Sequence, residues 1–495
     1  MTSKNTQRPN ILWYCTDQQR FDTIGRLGNP HVHTPVLDRF MDSAVTFTHA
    51  YCQSPICTPS RASFLTGVYP SALGVNGNGY SHFPRQHESR LLPHRLAKAG
   101  YDCGLVGKLH LASPASGQEP RVADGYRFFQ YSHDPKGPNE FGHDYAEWIR
   151  AEGIDPKDVL SDRQVNDPAS YRQGAKLKSF GGLYEPTADS DNVPPRLHQS
   201  HWCTEKAMEF ISKNRRSGQP WLLSVNPFDP HPPFDAPWEY YRRFDPNTMP
   251  GAHFRESDLD LQQRLVDAKI DFQSTPRHPD ELEIKKLQAS YYAMIEQLDH
   301  EFGRLLEFIE SIGQRDNTVV VFTSDHGESL GDHGMLLKGC RFFEGLVRVP
   351  LMVSWPDRFA GGTTTSALTE LLDVPTTLSE AAGEARPYYD QGQSLLSLMC
   401  GVESENRPAV RTEFYAGINY PDATHATMFR DERYKLVTYH RKGIAELYDL
   451  ESDPWEHVNL ADDSSYAAIQ AQLMWQSYDA TVYAHPPMPP RTNPF

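Results

Sequence analysis

Four short apolar segments, each running directly into polar residues, constrain the fold of this chain more than any other feature. They are NILWYCTDQQR (residues 10–20), YDCGLVGKLHL (101–111), PWLLSVNPFDPHPPFDAP (220–237) and NTVVVFTSDHGESLGDHG (317–334). Continuous apolar runs of this length are typical of strands inside a parallel sheet that is covered on both faces. Helical patterns that end at a glycine lie at 90–100 and 281–313. The alternation predicts an α/β fold with a large mixed, mostly parallel sheet sandwiched by helices.

The pattern changes after about residue 385. Two short strand patterns and one helical pattern follow, at 426–440, 444–450 and 465–484. We therefore predict a large α/β domain over 1–385 and a smaller C-terminal α+β subdomain over 386–495, with a short antiparallel sheet and a helix. Within the first domain, residues 112–200 are rich in Gly, Pro, Asp and Ser, which predicts an irregular insertion on the active-site side. The tail HPPMPPRTNPF is proline-rich and is predicted to be extended.

Composition excludes several classes of protein. The formal net charge of the 495 residues is −16, whereas a protein that binds duplex DNA needs a concentrated basic face. No apolar run approaches the roughly 18 residues that would span a bilayer, so we expect neither a nucleic-acid nor a membrane partner. The N-terminus, MTSKNTQRPN, lacks the apolar region of a secretory signal, and the seven cysteines are scattered without a CxxC pair. These features favour a reducing compartment, which is the cytoplasm. The periplasm is the alternative if a leader has been removed.

Candidate functional residues follow each of the four apolar segments. Ligands of open α/β sheets bind beyond the carboxyl ends of the strands. The polar residues expected there are Asp17, Gln18, Lys108, His110, His231, Asp325 and His326. Two carboxylates, an amide oxygen and an imidazole suit a divalent cation such as Ca²⁺, Mg²⁺ or Mn²⁺ better than a closed zinc site. Lys108 and Lys338 are expected to hold a tetrahedral oxyanion, and Cys57 and Arg61 lie at a predicted helix start, where free N–H groups attract anions.

Each of these residues, taken singly, also has a purely structural interpretation. Asp17 or Asp325 is consistent with a strand-end turn, and His231 with a structural role in a proline-rich loop. Lys108 is consistent with a side chain at a sheet edge that reaches solvent, and Cys57 with a small buried apolar residue. All of these interpretations would have to hold together to account for four strand ends and one helix start. A shared site is therefore the favoured interpretation.

The stretch CTPSRASFLTG, residues 57–67, resembles the signature of the type I sulfatases, which are formylglycine-dependent members of the alkaline phosphatase superfamily. Similar blocks extend over nearly the whole chain, including RPNILWYCTDQ, GKLHL, DPHPPF, SDHGESLGDHG and LYDLESDPWEHVNLA. The resemblance implies that a maturation enzyme oxidises Cys57 to Cα-formylglycine. One hydroxyl of the hydrated aldehyde then attacks sulfur, and the other allows sulfate to leave. The implied activity is a sulfatase that cleaves a sulfate monoester of a saccharide, or an aryl or alkyl sulfate.

The resemblance also implies a role for each residue of the candidate site. The implied ligands of one divalent metal ion, Ca²⁺ before Mg²⁺ or Mn²⁺, are Asp17, Gln18, Cys57, Asp325 and His326. Lys108 and Lys338 resemble the lysines that clamp the sulfate group. His110 resembles the histidine that contacts the hydrate, and His231 the general acid beside the leaving-group oxygen. Arg61 resembles the cation beside the hydrate.

Two departures from the common family pattern leave a second activity open. Many sulfatases carry another aspartate where this chain has Gln18, and the animal arylsulfatases carry asparagine where it has His326. Phosphonate monoester hydrolases resemble this chain at both positions. Phosphonate monoester or phosphodiester hydrolysis is therefore the alternative. A non-catalytic glycan-binding homologue is disfavoured, because every expected catalytic position carries a competent residue.

Overall fold

A large sheet forms the centre of the molecule. The computed structural model describes residues 8–485, apart from 115–116, 135–142, 160–192, 216, 271, 403–406 and 419–422. The strands of the sheet are β1 Asn10–Thr16, β2 Val45–Tyr51, β3 Asp102–Gly107, β4 Phe128–Tyr131, β5 Trp221–Asn226, β6 Thr318–Ser324, β7 Arg348–Ser354, β8 Thr363–Thr365 and β9 Thr369–Glu370. Their order is β4-β3-β5-β1-β6-β7-β2-β8, with β9 also beside β2. Only β7 runs antiparallel to its neighbours among these described strands, so the predicted mixed, mostly parallel sheet is confirmed.

The four apolar segments of the sequence form four adjacent strands. They become β3, β5, β1 and β6, which run in the same direction in the middle of the sheet. All residues of these four strands are buried, which explains why their sequences lack polar alternation. In the register of the sheet, Trp13 of β1 lies between Ser224 of β5 and Val321 of β6. The carboxyl ends of all four strands therefore meet at one edge.

Helices cover both faces of the sheet. They are α1 Pro35–Phe40, α2 Cys57–Thr66, α3 Pro70–Leu73, α4 Leu92–Lys98, α5 Asp144–Ala151, α6 Pro156–Val159, α7 Gln199–Asn214, α8 Trp238–Tyr241, α9 Glu256–Asp267, α10 Ile284–Ser311, α11 Glu344–Val347, α12 Asp373–Ala381, α13 Leu396–Met399 and α14 Ala467–Tyr483. On β1, Trp13 packs in one apolar core with Phe64 of α2, while Tyr14 packs in the other with Phe302 of α10. The helices predicted at 90–100 and 281–313 are confirmed as α4 and α10.

The insertion at 112–200 is less irregular than its composition predicts. Its described part contains strand β4 and helices α5 and α6. Strand β4 is the edge strand beside β3, and three of its four residues are partly exposed. An edge strand needs no continuous apolar run, so its sequence did not stand out.

A second, smaller sheet lies in the C-terminal region. Its antiparallel strands, in spatial order, are β10 Val410–Tyr415, β11 His425–Arg430, β12 Tyr434–Tyr439 and β13 Ile444–Asp449. Helix α14 packs on this sheet, where Leu473 joins an apolar cluster with Phe429 and Leu447. The predicted antiparallel strands and terminal helix are confirmed. The domain boundary at 385 stays a prediction, and the tail at 486–495 lies outside the described residues. Among the helices described, none combines the length and apolarity needed to cross a bilayer.

Candidate active site

The residues predicted from the strand ends come together at one buried position. Asp17 follows β1, Lys108 follows β3, and Asp325 follows β6. The potential ligand atoms of Asp17, Cys57, Asp325 and His326 all lie within 4.8 Å of one another. All four residues are buried. The predicted convergence of the strand ends is therefore present in the structure.

Cys57 is placed in this cluster by the start of helix α2. The preceding residue is extended, the helix begins at Cys57, and all ten residues of α2 are buried. The sulfur lies 3.2 Å from Nε2 of His326 and accepts a hydrogen bond of 2.9 Å from the Lys338 ammonium group. Burial would raise the pKa of the Cys57 thiol, but Lys108 and Lys338 outweigh it and hold this pKa well below its ordinary value. The surroundings thus favour an anionic group at position 57.

Asp17 keeps one carboxylate oxygen without a protein partner. Its Oδ2 accepts a hydrogen bond from Lys108 and lies 3.7 Å from Arg61 Nη2. Burial would raise the pKa of Asp17, but Lys108, together with weaker contributions from nearby groups such as Arg61, outweighs burial and lowers this pKa, so the carboxylate is ionised. Its Oδ1 is buried and makes no hydrogen bond. An ionised, unpartnered, buried oxygen is costly unless a cation binds there, which fits the predicted metal site.

Asp325 and His326 supply the second carboxylate and the imidazole of this cluster. Arg61 Nε donates a hydrogen bond of 2.8 Å to Asp325 Oδ2, and this fixes the carboxylate. The Nδ1 of His326 lies 2.9 Å from the carbonyl oxygen of Gly327. Because a carbonyl can only accept, Nδ1 carries the hydrogen and Nε2 keeps a lone pair facing Cys57. Burial would lower the pKa of His326, but Asp325 and Cys57 together outweigh burial and raise this pKa.

The Glu328 carboxyl group holds both Gln18 and the backbone next to Lys338. The backbone of Gln18 is left-handed, with φ of +68°, and its N–H donates to Asp325 Oδ1 at 3.0 Å. Its Oε1 accepts a hydrogen bond of 2.6 Å from Lys338, and its Nε2 donates to Glu328. Glu328 also accepts the N–H of Leu337, next to Lys338. The Lys338 ammonium group therefore contacts Gln18 and Cys57, which the resemblance to the sulfatases implies as metal ligands.

The two predicted acid–base histidines also border Cys57. His110 has a φ of +58°, and its backbone N–H donates to Glu119 Oε2 at 2.6 Å. Burial and the nearby Lys108 lower the pKa of His110 to about 4. The Nδ1 of His231 lies 2.6 Å from the carbonyl oxygen of Pro232, so Nδ1 carries the hydrogen. Burial and Lys338 lower the pKa of His231.

Three further residues of the site were not found from the sequence. Glu119 accepts the backbone N–H groups of His110 and Leu111. Glu328 holds Gln18 as described above. The ring of His133, both of whose nitrogens are buried, stands edge-on to His110, with 4.4 Å between the ring centroids. His133 follows strand β4, so the available signal was only the short stretch FFQY, which Gln130 interrupts and which leads into the polar residues SHD.

The fold is that of an ester hydrolase of the alkaline phosphatase superfamily, and comparison with known proteins names the family. The sulfatase family model matches residues 9–384, which is more than half of the chain. A model described as N-sulphoglucosamine sulphohydrolase, C-terminal, matches residues 331–481. The chain belongs to the sulfatase family.

Individual relatives cover nearly all of the chain. An arylsulfatase of Clostridium perfringens is 26% identical over 483 residues, 93% of this chain and 91% of the relative. An N-acetylglucosamine-6-O-sulfatase of Bacteroides thetaiotaomicron is 26% identical over 518 residues, 95% of this chain and 86% of the relative. The crystal structure of the phosphonate monoester hydrolase of Agrobacterium radiobacter superposes with a TM-score of 0.77 at 26% identity, over 96% of both chains.

Proposed function

We propose that the protein hydrolyses sulfate monoesters with Cys57, converted to Cα-formylglycine by a maturation enzyme, as the nucleophile. The observation that carries the proposal is the charge around Cys57. Three cations, Arg61, Lys108 and Lys338, surround it together with two carboxylates, Asp17 and Asp325. This small region is therefore positive, although the whole chain has a net charge of −16. A local excess of positive charge attracts an anionic ester to a nucleophile that water reaches poorly.

One divalent metal ion completes the proposed site. Asp17, Gln18, Asp325 and His326 would hold it together with residue 57. The unpartnered Oδ1 of Asp17 and the Nε2 of His326, which faces Cys57 at 3.2 Å, support this assignment. Three oxygen donors and a single imidazole favour Ca²⁺, with Mg²⁺ or Mn²⁺ as alternatives. When bound, the ion polarises an ester oxygen and lowers the pKa of the nucleophilic hydroxyl.

The surrounding residues then have separate tasks in our proposal. The ammonium groups of Lys108 and Lys338 contact the oxygens of the transferring sulfuryl group and offset its charge. Neutral His110, whose pKa is about 4, accepts a proton next to residue 57. His231 donates a proton to the leaving-group oxygen through Nε2. The anionic ester raises the proton affinity of His231, which offsets the lowered pKa of its imidazole in the free site.

The relatives support a sulfated saccharide as the substrate class, with aryl or alkyl sulfates as alternatives. One relative carries the name of an N-acetylglucosamine-6-O-sulfatase and another that of an arylsulfatase. The C-terminal family model carries the name of an enzyme that acts on a sulfated glucosamine. The seven cysteines are scattered along the sequence without a CxxC pair, which supports our expectation of a reducing compartment such as the cytoplasm.

The decisive test combines mass spectrometry with kinetics. Protein that is co-expressed with a formylglycine-generating enzyme should yield a peptide carrying an aldehyde at position 57. Cys57→Ala should lower kcat/KM on an aryl sulfate by at least about 10³-fold, because it removes the nucleophile. Cys52→Ala is the matched control, since Cys52 is equally buried in the neighbouring core. An unmodified thiol together with full activity of Cys57→Ala would refute the proposal.

A second candidate function is phosphonate monoester or phosphodiester hydrolysis on the same scaffold. The specific observation in its favour is the solved phosphonate monoester hydrolase that superposes over almost the whole chain. The amide of Gln18 and the imidazole of His326 also distinguish this site from the common sulfatase pattern. Measuring kcat/KM on aryl sulfate and aryl phosphonate esters with the same leaving group separates the two functions. A strong preference for the sulfate ester would exclude the second candidate.

A further inference from the structure

A second group of metal-ligating side chains shares no residue with the candidate active site. It consists of Asp258, His333 and His457, whose potential ligand atoms all lie within 4.8 Å of one another. Asp258 lies in the first turn of α9, His333 in the loop that follows β6, and His457 in the segment after β13. The group therefore joins the C-terminal region to the loop that ends at Lys338.

The nitrogen atoms of both histidines face the same carboxylate. The Nδ1 of His457 lies 3.0 Å and 3.2 Å from the two oxygens of Asp258. The Nδ1 of His333 lies 3.5 Å from Asp258 Oδ2 but makes no hydrogen bond. His333 is only 2% exposed, so water does not satisfy this nitrogen from outside. A buried polar atom of this kind is rare in folded proteins and indicates a missing partner.

Neighbouring contacts fix all three side chains in place. The backbone N–H of Arg255 donates a hydrogen bond of 2.8 Å to Asp258 Oδ2 and orients the carboxylate. The His333 ring stacks on Phe343 with 3.7 Å between the centroids, and its backbone N–H donates to the carbonyl oxygen of His253 at 3.0 Å. Ligands that are oriented in advance by second contacts are a regular feature of metal sites.

We propose that Asp258, His333 and His457 bind a transition-metal ion of the zinc class, with water as the fourth ligand. Two imidazoles and one carboxylate are a typical set for Zn²⁺, with Zn–N distances of about 2.0–2.1 Å, whereas Ca²⁺ and Mg²⁺ prefer oxygen ligands throughout. The ion would replace the missing partner of His333. It would clamp the segment after β13 onto the loop that runs from Asp325 to Lys338.

The test is zinc binding by the full-length protein and four variants. The metal-depleted proteins are dialysed against ZnCl₂, desalted and analysed by mass spectrometry for bound zinc. His457→Gln keeps an amide that can bond to Asp258, and His333→Asn tolerates the left-handed backbone at that position, where φ is +54°. Asp325→Asn disables the active-site metal position, and His300→Gln is the matched control at an exposed histidine.

We expect the wild type, Asp325→Asn and His300→Gln to retain one equivalent of zinc that His457→Gln and His333→Asn lose. Added ZnCl₂ should also raise the Tm of metal-depleted Asp325→Asn but not that of the double variant Asp325→Asn/His457→Gln. His457 is only partly buried, so this variant keeps the test valid if His333→Asn does not fold. The proposal is wrong if the wild type retains no zinc, if His457→Gln retains it, or if only Asp325→Asn loses it. Because zinc is measured directly, failure of this site leaves the sulfatase proposal untouched.

Discussion

Replacing Lys338 by methionine tests the proposed sulfate clamp most directly. Lys338 is 3% exposed, and its ammonium group lies 2.9 Å from the Cys57 sulfur, which marks the position of the nucleophile. Methionine keeps a flexible apolar stem of similar length but removes the charge and its three donors. The substitution therefore removes the electrostatic contact while it largely preserves the packing.

The expected loss follows from this distance. At 2.9 Å and an effective dielectric constant of about 20, a unit charge pair interacts with about 6 kcal/mol. The ester is already anionic in the ground state, so much of this interaction energy is present before the reaction. Only the increase in interaction energy from the bound ester to the transition state accelerates the reaction. We therefore expect a loss of about 2–4 kcal/mol, the range found when one oxyanion-stabilising donor is removed. This corresponds to a decrease in kcat/KM of about 30-fold to 10³-fold.

Steady-state kinetics on an aryl sulfate, with Tm measured in parallel, provide the assay. The matched control is Lys435→Met, since Lys435 is equally buried but pairs with Glu344 and Glu456, at 2.7 Å from each. Breaking that buried pair should lower Tm while the folded enzyme keeps its kcat/KM. Wild-type kinetics for Lys338→Met, or a loss of activity that merely follows its Tm, would show that Lys338 does not contact the transferring group.

Three further predictions concern the same region. Lys108→Met should also cost about 2–4 kcal/mol of transition-state stabilisation, and unchanged kinetics would place the clamp elsewhere. Chelation of divalent metal ions should abolish aryl sulfate hydrolysis, and added CaCl₂ should restore it better than MgCl₂ or MnCl₂; full activity after chelation would refute the metal assignment. Burial raises the pKa of Glu119 from 4.5 to about 7, so the native state binds this proton more tightly than the unfolded state. The stability that this proton contributes is complete below pH 4.5 and is lost as pH rises through 7. Over this range, the free energy of unfolding of the wild type, measured with urea, should therefore fall by up to about 3 kcal/mol relative to that of Glu119→Gln. Parallel pH dependence of the two proteins would contradict the raised pKa.

The central sheet could be predicted because its strands are buried on both faces. Strands β1, β3, β5 and β6 have no exposed residues, so their sequences are continuous apolar runs with clear ends. The polar residues at those ends had to meet once the strands were parallel and adjacent. Strand β4 was not predicted, because an edge strand with three partly exposed residues carries no such run. His133 was missed together with it.

The remaining parts of the site depend on contacts between distant segments. Glu328 lies in the same polar block as Asp325, but only the folded chain shows that it holds Gln18 and the backbone of Leu337. Asp258, His333 and His457 come from three separate segments and share no motif. No local pattern of spacing could have predicted that they meet, because the packing of the C-terminal region on the larger domain brings them together.

The burial of helix α2 limits the stage of folding at which its first residue, Cys57, is accessible to a modifying enzyme. Every residue of Cys57–Thr66 is inaccessible, and Cys57 itself is 1% exposed. Under our proposal, an oxidising enzyme would have to reach this thiol and the residues that follow it, so conversion of Cys57 would have to precede the packing of α2. Oxidation and folding of the chain would then compete in time. A molecule that folded first would keep its thiol and stay inactive, so the fraction of active molecules in a preparation would depend on the relative rates of oxidation and folding rather than on the stability of the folded enzyme.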